Sequence, residues 1–347
     1  MRLCRHLLSN LQTLTHPNIR WGVLWYNFNE PFQLRIPSSS NPLMPQSQDQ
    51  FVTLPDGHTN AVYAVAFSPD GKQLASGGLD HALKIWNVAD HEARTIKEAH
   101  RDAVASLAFS PSGKRIVTAG LDQFVKLWNV ESGVAEANLT GHGAYIVAAA
   151  FAPDGERFVS GGYDNNVRVW TASGQAAVLS GHSDSVYGVD WSLNGKRIAS
   201  CGKDGSIRLW DGKTYKELNR LAVHEGEVNA VRFSPDSDMI ATAGGDGTIV
   251  VSDATNGKFQ SRLVGHKGYV KSLAFAPSGK LLASGGADST IRLWDLTRST
   301  SITVLRGHSN TVYSLSFSPD SKTLASGSFD RSIKLWTLAV QTSSGNG

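Results

Sequence analysis

Residues 57–86 read GHTNAVYAVAFSPDGKQLASGGLDHALKIW, and the polar skeleton of this stretch recurs along the whole chain. His58 is followed by Ser76 eighteen residues later, by Asp80 four residues further on, and by Trp86 six residues after that. A fixed period of about 40 residues indicates an array of structural repeats, each packed on its neighbours. Seven histidines begin these units at intervals of 42 residues, apart from one interval of 40: His58, His100, His142, His182, His224, His266 and His308.

The first repeat divides into four short strands. Residues 61–67 alternate and are rich in small and β-branched side chains, which predicts an inner strand. Residues 68–71 (SPDG) are typical of a tight turn, because proline sets one φ angle and glycine accepts the left-handed position. Three further strands are predicted at 74–77, 82–88 and 94–98, so each repeat has the four strands that a propeller blade needs.

The repeats resemble those of the WD-repeat family, over roughly residues 51–340. The resemblance implies an all-β protein, a single seven-bladed β-propeller of four-stranded antiparallel blades. The number of outer strands is seven only if residues 51–54 complete the last blade, which would pair the two ends of the ring and remove its open sheet edges. The other outer strands are expected near Thr95, Ala135, Ala177, Leu218, Arg262 and Thr303.

The resemblance also assigns the repeated His, Ser/Thr, Asp and Trp to a structural hydrogen-bond chain, in which the indole meets the hydroxyl, the hydroxyl the imidazole, and the imidazole the carboxylate. We prefer this to a catalytic interpretation, because a catalytic site is usually singular and this set recurs in every repeat. The complete sets are, in chain order, His58, Ser76, Asp80 and Trp86; His100, Thr118, Asp122 and Trp128; His142, Ser160, Asp164 and Trp170; His182, Ser200, Asp204 and Trp210; His266, Ser284, Asp288 and Trp294; and His308, Ser326, Asp330 and Trp336.

The fifth repeat departs from the pattern. It keeps His224, Thr242 and Asp246, but Ser252 stands where the other repeats have tryptophan. Because the indole donor and its large apolar body are both lost, we predict that blade 5 is the loosest in the ring. The interval of 40 residues follows the third histidine, and the shortening is predicted to fall in the outer hairpin of blade 3.

By the same resemblance, the residue five positions after each histidine and the residue before each aspartate lie at the mouth of the axial channel, where family members often recognise peptides or proteins. These positions vary between repeats, as a chemically specific surface would. Aromatic side chains carry much of the energy at protein interfaces, and the two lysines suggest an acidic, or apolar and acidic, peptide. The alternative is that several rings merely plug the channel. Two tyrosines that lie three positions after a histidine join this set. The candidate partner-binding residues are Tyr63, Tyr145, Tyr163, Tyr187, Lys203, Asn229, Tyr269, Lys271, Tyr313 and Phe329.

Composition limits the other classes of protein. The net charge of +3, from 33 basic and 30 acidic residues, does not indicate nucleic-acid binding. Cys4 and Cys201 are the only cysteines, which suits a reducing compartment, and we expect the cytoplasm. The sequence contains no run of 18 apolar residues, so a membrane span is not expected. A search for phosphate-binding, zinc-protease, nucleophile-elbow and paired-cysteine motifs finds none, so no cofactor or metal is expected.

The ends of the chain lie outside the repeats. The stretch up to Asn29 contains arginine but no acidic residue, and residues 37–50 are rich in proline, serine and glutamine. Residues 1–50 are therefore predicted to be a loosely attached extension, interpreted as a transit peptide, a docking segment or upstream sequence before an alternative start at Met44. Residues 341–347 are predicted to be a tail.

Three functions compete. The first is a non-enzymatic scaffold that binds peptides or proteins on the propeller's top face, with the ring itself monomeric inside a larger complex. The second is a substrate receptor of a cullin-type ubiquitin ligase, since residues 210–213 (WDGK) loosely resemble a docking motif that prefers arginine where Lys213 stands. The third, an enzyme, would need unpaired acidic, histidine or metal-binding groups at the channel mouth, and the mouth positions contain none.

Overall fold

A computed structural model describes residues 51–55 and 57–338, so the predictions for residues 1–50 and 341–347 lie outside the described part of the chain. Within that part all the regular structure is β, and no helix is long and apolar enough to cross a membrane. The first fourteen strands are β1 (Phe51–Thr53), β2 (Val62–Phe67), β3 (Gln73–Gly78), β4 (Leu83–Asn87), β5 (Ala93–Ile96), β6 (Val104–Phe109), β7 (Arg115–Gly120), β8 (Val125–Asn129), β9 (Ala135–Leu139), β10 (Ile146–Phe151), β11 (Phe158–Gly162), β12 (Asn166–Thr171), β13 (Gly174–Ser180) and β14 (Val186–Trp191). The others are β15 (Arg197–Gly202), β16 (Ile207–Asp211), β17 (Glu217–Leu221), β18 (Val228–Phe233), β19 (Met239–Gly244), β20 (Thr248–Asp253), β21 (Phe259–Val264), β22 (Val270–Phe275), β23 (Leu281–Gly286), β24 (Ile291–Asp295), β25 (Thr300–Leu305), β26 (Val312–Phe317), β27 (Thr323–Ser328) and β28 (Ile333–Thr337).

These strands form seven antiparallel sheets of four, which confirms the predicted seven-bladed propeller. Blades 1 to 6 each take four consecutive strands, starting with β2–β5, and their first strands are the inner ones. The last blade has the order β1-β28-β27-β26, so the strand before the first repeat supplies its outer edge, as predicted. The ring therefore closes by pairing strands from opposite ends of the repeat array.

The closing strand is held by backbone and side-chain contacts. Phe51 pairs with Trp336 in register, and their ring centroids lie 4.7 Å apart. The ammonium of Lys334 lies 3.9 Å from the Phe51 ring centroid and donates a 3.0 Å hydrogen bond to the hydroxyl of Thr53. Cation–π attraction and aromatic packing thus add to the ladder hydrogen bonds of a strand only three residues long.

Apolar side chains between neighbouring blades form the core. Seven buried clusters alternate with the seven blades, and six of them include the tryptophan that ends a third strand. The cluster between blades 4 and 5 lacks one, because Ser252 occupies the equivalent position and is itself buried. A tryptophan buries roughly 150–250 Å². The interface between blades 4 and 5 therefore lacks the largest apolar side chain that the other six interfaces contain.

The shorter repeat interval has a local cause. In blade 3 the third and fourth strands are joined by residues 172–173 alone, and Thr171 pairs directly with Gly174. In blade 2 the corresponding connection runs over residues 130–134. The missing residues therefore come from the outer hairpin and leave the inner strands in step with the other blades.

Candidate functional site

The repeated polar residues form one buried hydrogen-bond chain in every blade. The imidazole Nε2 lies 2.7–2.9 Å from the Ser or Thr hydroxyl. The Nδ1 atom lies 2.8–3.1 Å from the aspartate carboxylate. In six blades the indole N–H donates to the same hydroxyl at 2.7–2.9 Å. Each buried polar atom has a partner, which is what a structural network requires.

The hydroxyl and indole members of the chain lie inside the blades, away from the axial channel and from solvent. The buried hydroxyl residues are Ser76, Thr118, Ser160, Ser200, Thr242, Ser284 and Ser326. The buried indole residues are Trp86, Trp128, Trp170, Trp210, Trp294 and Trp336. None of these side chains lines the axial cavity. Their role is therefore structural. A ligand has no access to these buried side chains, and their hydrogen bonds hold one blade together.

The geometry also indicates which ring nitrogen of the imidazole carries the proton in this hydrogen-bond chain. The hydroxyl receives the indole N–H and donates to Nε2, so Nδ1 carries the imidazole proton and donates it to the carboxylate. Burial lowers the pKa of His100 and three of its counterparts, His182, His224 and His266, which keeps these rings neutral. Although burial acts the other way, backbone and side-chain hydrogen bonds lower the pKa of Asp288 to about 2. Each member is thereby tied into a hydrogen-bond chain that links the strands of one blade.

Blade 5 also differs from blades 2 and 4 in a second contact, which a cation on the third strand makes in those blades. In blades 2 and 4 a cation on the third strand donates to the carbonyl before the histidine, as Lys126 Nζ does to Ala99 at 2.6 Å. Val250 occupies that position in blade 5. Arg262, on the outer strand, supplies the missing cation instead: its guanidinium donates to the Val223 carbonyl at 2.6 Å and lies 3.4 Å from the Asp246 carboxylate.

A β-bulge directs the mouth residues into the channel. In all seven inner strands the pairing register shifts at the residue five positions after the histidine. A bulge breaks the strict alternation of a strand and re-aims one side chain. The re-aimed residues come from every blade and line one axial cavity of about 550 Å³: Tyr63, Ala105, Val147, Tyr187, Asn229, Lys271 and Tyr313. We call the end of the channel at these residues the channel mouth.

The aromatic candidates form two groups at the channel mouth. On blades 7 and 1, Tyr313 lies 5.1 Å from Tyr63 in an edge-to-face arrangement and 6.2 Å from Phe329, measured between ring centroids. We call this set the blade 7/1 aromatic group.

The second set lies on blades 3 and 4. Tyr163 lies 5.9 Å from Tyr145 and 5.8 Å from Tyr187, again between centroids, and we call these residues the blade 3/4 aromatic group. Burial raises the pKa of Tyr187 to about 12, so its hydroxyl stays protonated at neutral pH. Tyr163 and Tyr187 line the axial cavity, as do Tyr63 and Tyr313 of the other group. Tyr145 and Phe329 are exposed and do not line it.

The polar candidates have acidic neighbours. Lys203 forms a 3.4 Å ion pair with Asp184, and both are well exposed. Lys271 lies 3.7 Å from Glu227 and donates a 2.8 Å hydrogen bond to the Oδ1 atom of Asn229. Tyr269 stands beside this group, its ring centroid 5.1 Å from the Lys271 ammonium. The two lysines predicted to attract an acidic ligand are therefore partly compensated already.

Asn229 has an unused donor. Its side chain lines the channel yet is only 8% exposed, and its Nδ2 atom has no hydrogen-bond partner among the described residues. An unsatisfied buried polar group costs about 1–3 kcal/mol, so such a group calls for an explanation.

Sequence reasoning missed two charged residues deeper in the channel. Asp190 and Arg232 occupy equivalent positions on the inner strands of blades 4 and 5, and both line the cavity. Asp190 Oδ2 accepts a 2.7 Å hydrogen bond from the Phe233 backbone, so this carboxylate joins the two blades. The signal was present in the sequence, because the matching residues of the other blades are all small: Ala66, Ala108, Ala150, Ala274 and Ser316.

The ligase-like tetrapeptide lies in a turn that recurs in other blades. The Asp211 carboxylate in the ligase-like tetrapeptide caps its own turn, accepting from the backbone of Lys213 at 3.0 Å and of Thr214 at 2.6 Å. Asp253 and Asp295 cap the matching turns of blades 5 and 6 in the same way. The carboxylate is thus part of a repeated turn. Over the part of the chain described, no three metal-binding side chains form a cluster.

The comparison with protein families agrees with the architecture. The family described as "WD domain, G-beta repeat" matches seven times, at residues 49–87, 92–129, 133–171, 174–211, 215–253, 257–295 and 299–337. These matches cover most of the chain, and the chain belongs to the WD40 family, whose propeller is commonly used as a protein-interaction scaffold. A search of curated proteins gives no match.

Proposed function

We propose that this protein is a non-catalytic interaction scaffold that binds a peptide or protein segment at the channel mouth. The observation that carries the proposal is the pair of aromatic groups set on either side of an open axial cavity. All seven bulged residues share one register shift, yet three of them are tyrosine and the other four are alanine, valine, asparagine and lysine. A purely structural position would repeat its residue, as the histidines do.

The size and chemistry of the mouth favour a segment with an apolar or aromatic anchor. A cavity of about 550 Å³ falls within the range of roughly 300–1,000 Å³ found for ligand sites. Tyrosine supplies a large contact area, and its hydroxyl adds a hydrogen bond. The anchor would insert between the blade 7/1 and blade 3/4 aromatic groups.

The remaining properties of the partner stay predictions. Lys203 and Lys271 support an acidic character, although each has an acidic neighbour within 4 Å. A monomeric ring within a larger complex and a cytoplasmic location are proposed on the sequence alone.

Peptide selection tests the proposal without knowledge of the natural partner. Peptides that bind the full-length protein would be selected from a random 12-residue display library, synthesised, and titrated by calorimetry. Substituting Tyr187, Tyr313 and Phe329 together by alanine is expected to weaken their binding at least tenfold, because each loses a ring that contacts the anchor.

A matched control variant removes three exposed apolar side chains from the outer strands, where no channel residue is touched. Leu218→Ala, Val264→Ala and Ile302→Ala together should leave the affinity unchanged. If the selected peptides bind the channel-mouth variant as well as the original protein, the channel mouth is not the interaction site.

A further inference from the structure

Arg232 is an exposed cation inside the channel. It lies on β18, and one of its terminal nitrogens, Nη1, donates to the carbonyls of Val231 at 2.8 Å and Val189 at 3.4 Å. The described residues provide no ion-pair partner within 4.0 Å, and the residue is exposed at a position where five of its six counterparts are alanine or serine and the sixth is Asp190. The guanidinium therefore has unused N–H groups facing the cavity, in the planar geometry that binds carboxylates with two parallel hydrogen bonds.

The unused donor of Asn229 lies on the same strand and the same side. The bulge between Val228 and Ala230 shifts the alternation of β18, so residues 229 and 232 both line the channel although they are three positions apart. Lys271 fixes the orientation of the amide, because its ammonium takes Oδ1 and leaves Nδ2 without an acceptor. This wall of the channel, on blades 5 and 6, thus combines the exposed guanidinium of Arg232 with the buried, unpartnered amide nitrogen of Asn229 and the ammonium of Lys271 on β22.

We propose that this wall, formed by Asn229, Arg232 and Lys271, binds a carboxylate, and that the carboxylate belongs to an aspartate or glutamate side chain of the segment held at the channel mouth. The inference rests on the proposed function and specifies its ligand. Asp190 limits the position of the incoming group: its own carboxylate is tied to the Phe233 backbone at 2.7 Å. The Arg232 charge already acts on Asp190, and repulsion between like charges disfavours a second carboxylate directly beside it. The ligand's carboxylate therefore sits on the Asn229 side of Arg232.

Three probes distinguish the sources of the carboxylate. The peptide Ac-Ala-Glu-Ala-NH₂ carries it on a side chain, Ac-Ala-Gln-Ala-NH₂ is its uncharged counterpart, and glutarate is a free dicarboxylate. Each would be titrated into ¹⁵N-labelled full-length protein, with the Arg232 Nε–H signal and the Asn229 side-chain amide signals followed by NMR. The glutamate peptide is expected to shift these signals and to bind at least tenfold more tightly than the glutamine peptide.

Variants test the residue directly. Arg232→Ala introduces the residue that four other blades carry at this position, so the ring is expected to fold, and thermal unfolding checks that it does. It should weaken binding of the glutamate peptide at least tenfold and abolish the preference over glutamine. Arg220→Ala removes an exposed arginine from the outer strand of blade 4 and should change neither.

The possible outcomes bear on the site and on its ligand separately. If glutarate binds in an Arg232-dependent way and the glutamate peptide does not, the carboxylate site is real but serves a small molecule, and the peptide assignment is overturned. Equal binding of the two peptides, or an Arg232→Ala variant that binds like the original, overturns the inference altogether. Peptides selected from the library that depend on Tyr187, Tyr313 and Phe329 but not on Arg232 would leave the proposed scaffold function standing while removing this site.

Discussion

Two threonines provide a matched test of the buried hydrogen-bond chain. In blade 2, Thr118 accepts the Trp128 indole N–H at 2.8 Å and lies 2.8 Å from His100 Nε2. In blade 5, Thr242 lies 2.9 Å from His224 Nε2 but has no indole partner, and its hydroxyl is within 3.3 Å of a backbone carbonyl instead. Both side chains are buried, so the same Thr→Val substitution preserves shape in each and removes only the hydroxyl.

The magnitudes follow from the number of groups left without a partner. Each orphaned buried polar group costs about 1–3 kcal/mol. Thr118→Val orphans the indole and the imidazole, so we expect it to lower the free energy of unfolding by about 2–6 kcal/mol. Thr242→Val orphans only the imidazole, so about 1–3 kcal/mol is expected. The difference between the two variants measures the contribution of the indole hydrogen bond.

Urea denaturation followed by both tryptophan fluorescence and circular dichroism gives these free energies. Coinciding transitions from the two probes, with unchanged slopes, establish that a two-state treatment applies. Equal destabilisation by the two substitutions would refute the reasoning, because the indole would then add nothing to the chain in blade 2.

Three further predictions concern the stability of the ring. Lowering the pH from 7 should reduce the free energy of unfolding: burial lowers the pKa of His100, His182, His224 and His266 below the ordinary 6.5, so the unfolded chain binds more protons as the pH falls through that value. A second loss of stability is expected between pH 3.8 and about 2, where Asp204 and Asp288 become protonated. The midpoints of urea denaturation, measured across both pH ranges, check both losses. Phe51→Ala should cost about 2 kcal/mol, less than the roughly 3–5 kcal/mol of a core phenylalanine, because the ring packs on Trp336 but is only half-buried. Val52→Ala, at an exposed position, should cost less than about 0.5 kcal/mol by thermal unfolding. Backbone amides of β19 and β20 should exchange with deuterium faster than those of β7 and β8, because the cluster between blades 4 and 5 lacks tryptophan whereas both clusters that flank blade 2 contain one; equal rates would contradict a looser blade 5.

The fold was predictable because its determinants are local and repeated. Each blade carries the same turn, the same strand pattern and the same polar residues, so seven copies reinforce one interpretation. The closing strand was also predictable, since a count of outer strands left residues 51–54 to complete blade 7, where the structure has β1. Such arguments need no knowledge of contacts between distant side chains.

The features that escaped prediction depend on non-local geometry. Arg262 replaces the third-strand cation of blade 5 from a different strand, and only the coordinates show that its guanidinium reaches Val223 and Asp246. The bulge that places Asn229 and Arg232 on one wall is equally invisible to a pattern based on strict alternation. The charged residues could have been noticed as exceptions among small ones, but their depth in the channel could not.

Cross-linking tests the location of the interaction site most directly. A peptide selected on the full-length protein would carry a photoreactive phenylalanine analogue at its anchor position, and the cross-linked residues would be mapped by mass spectrometry. Cross-links should concentrate on the channel mouth, at Tyr63, Tyr163, Tyr187 and Tyr313. Cross-links confined to the outer strands, around Leu218, Phe259 or Ile302, would show that partners bind elsewhere on the ring.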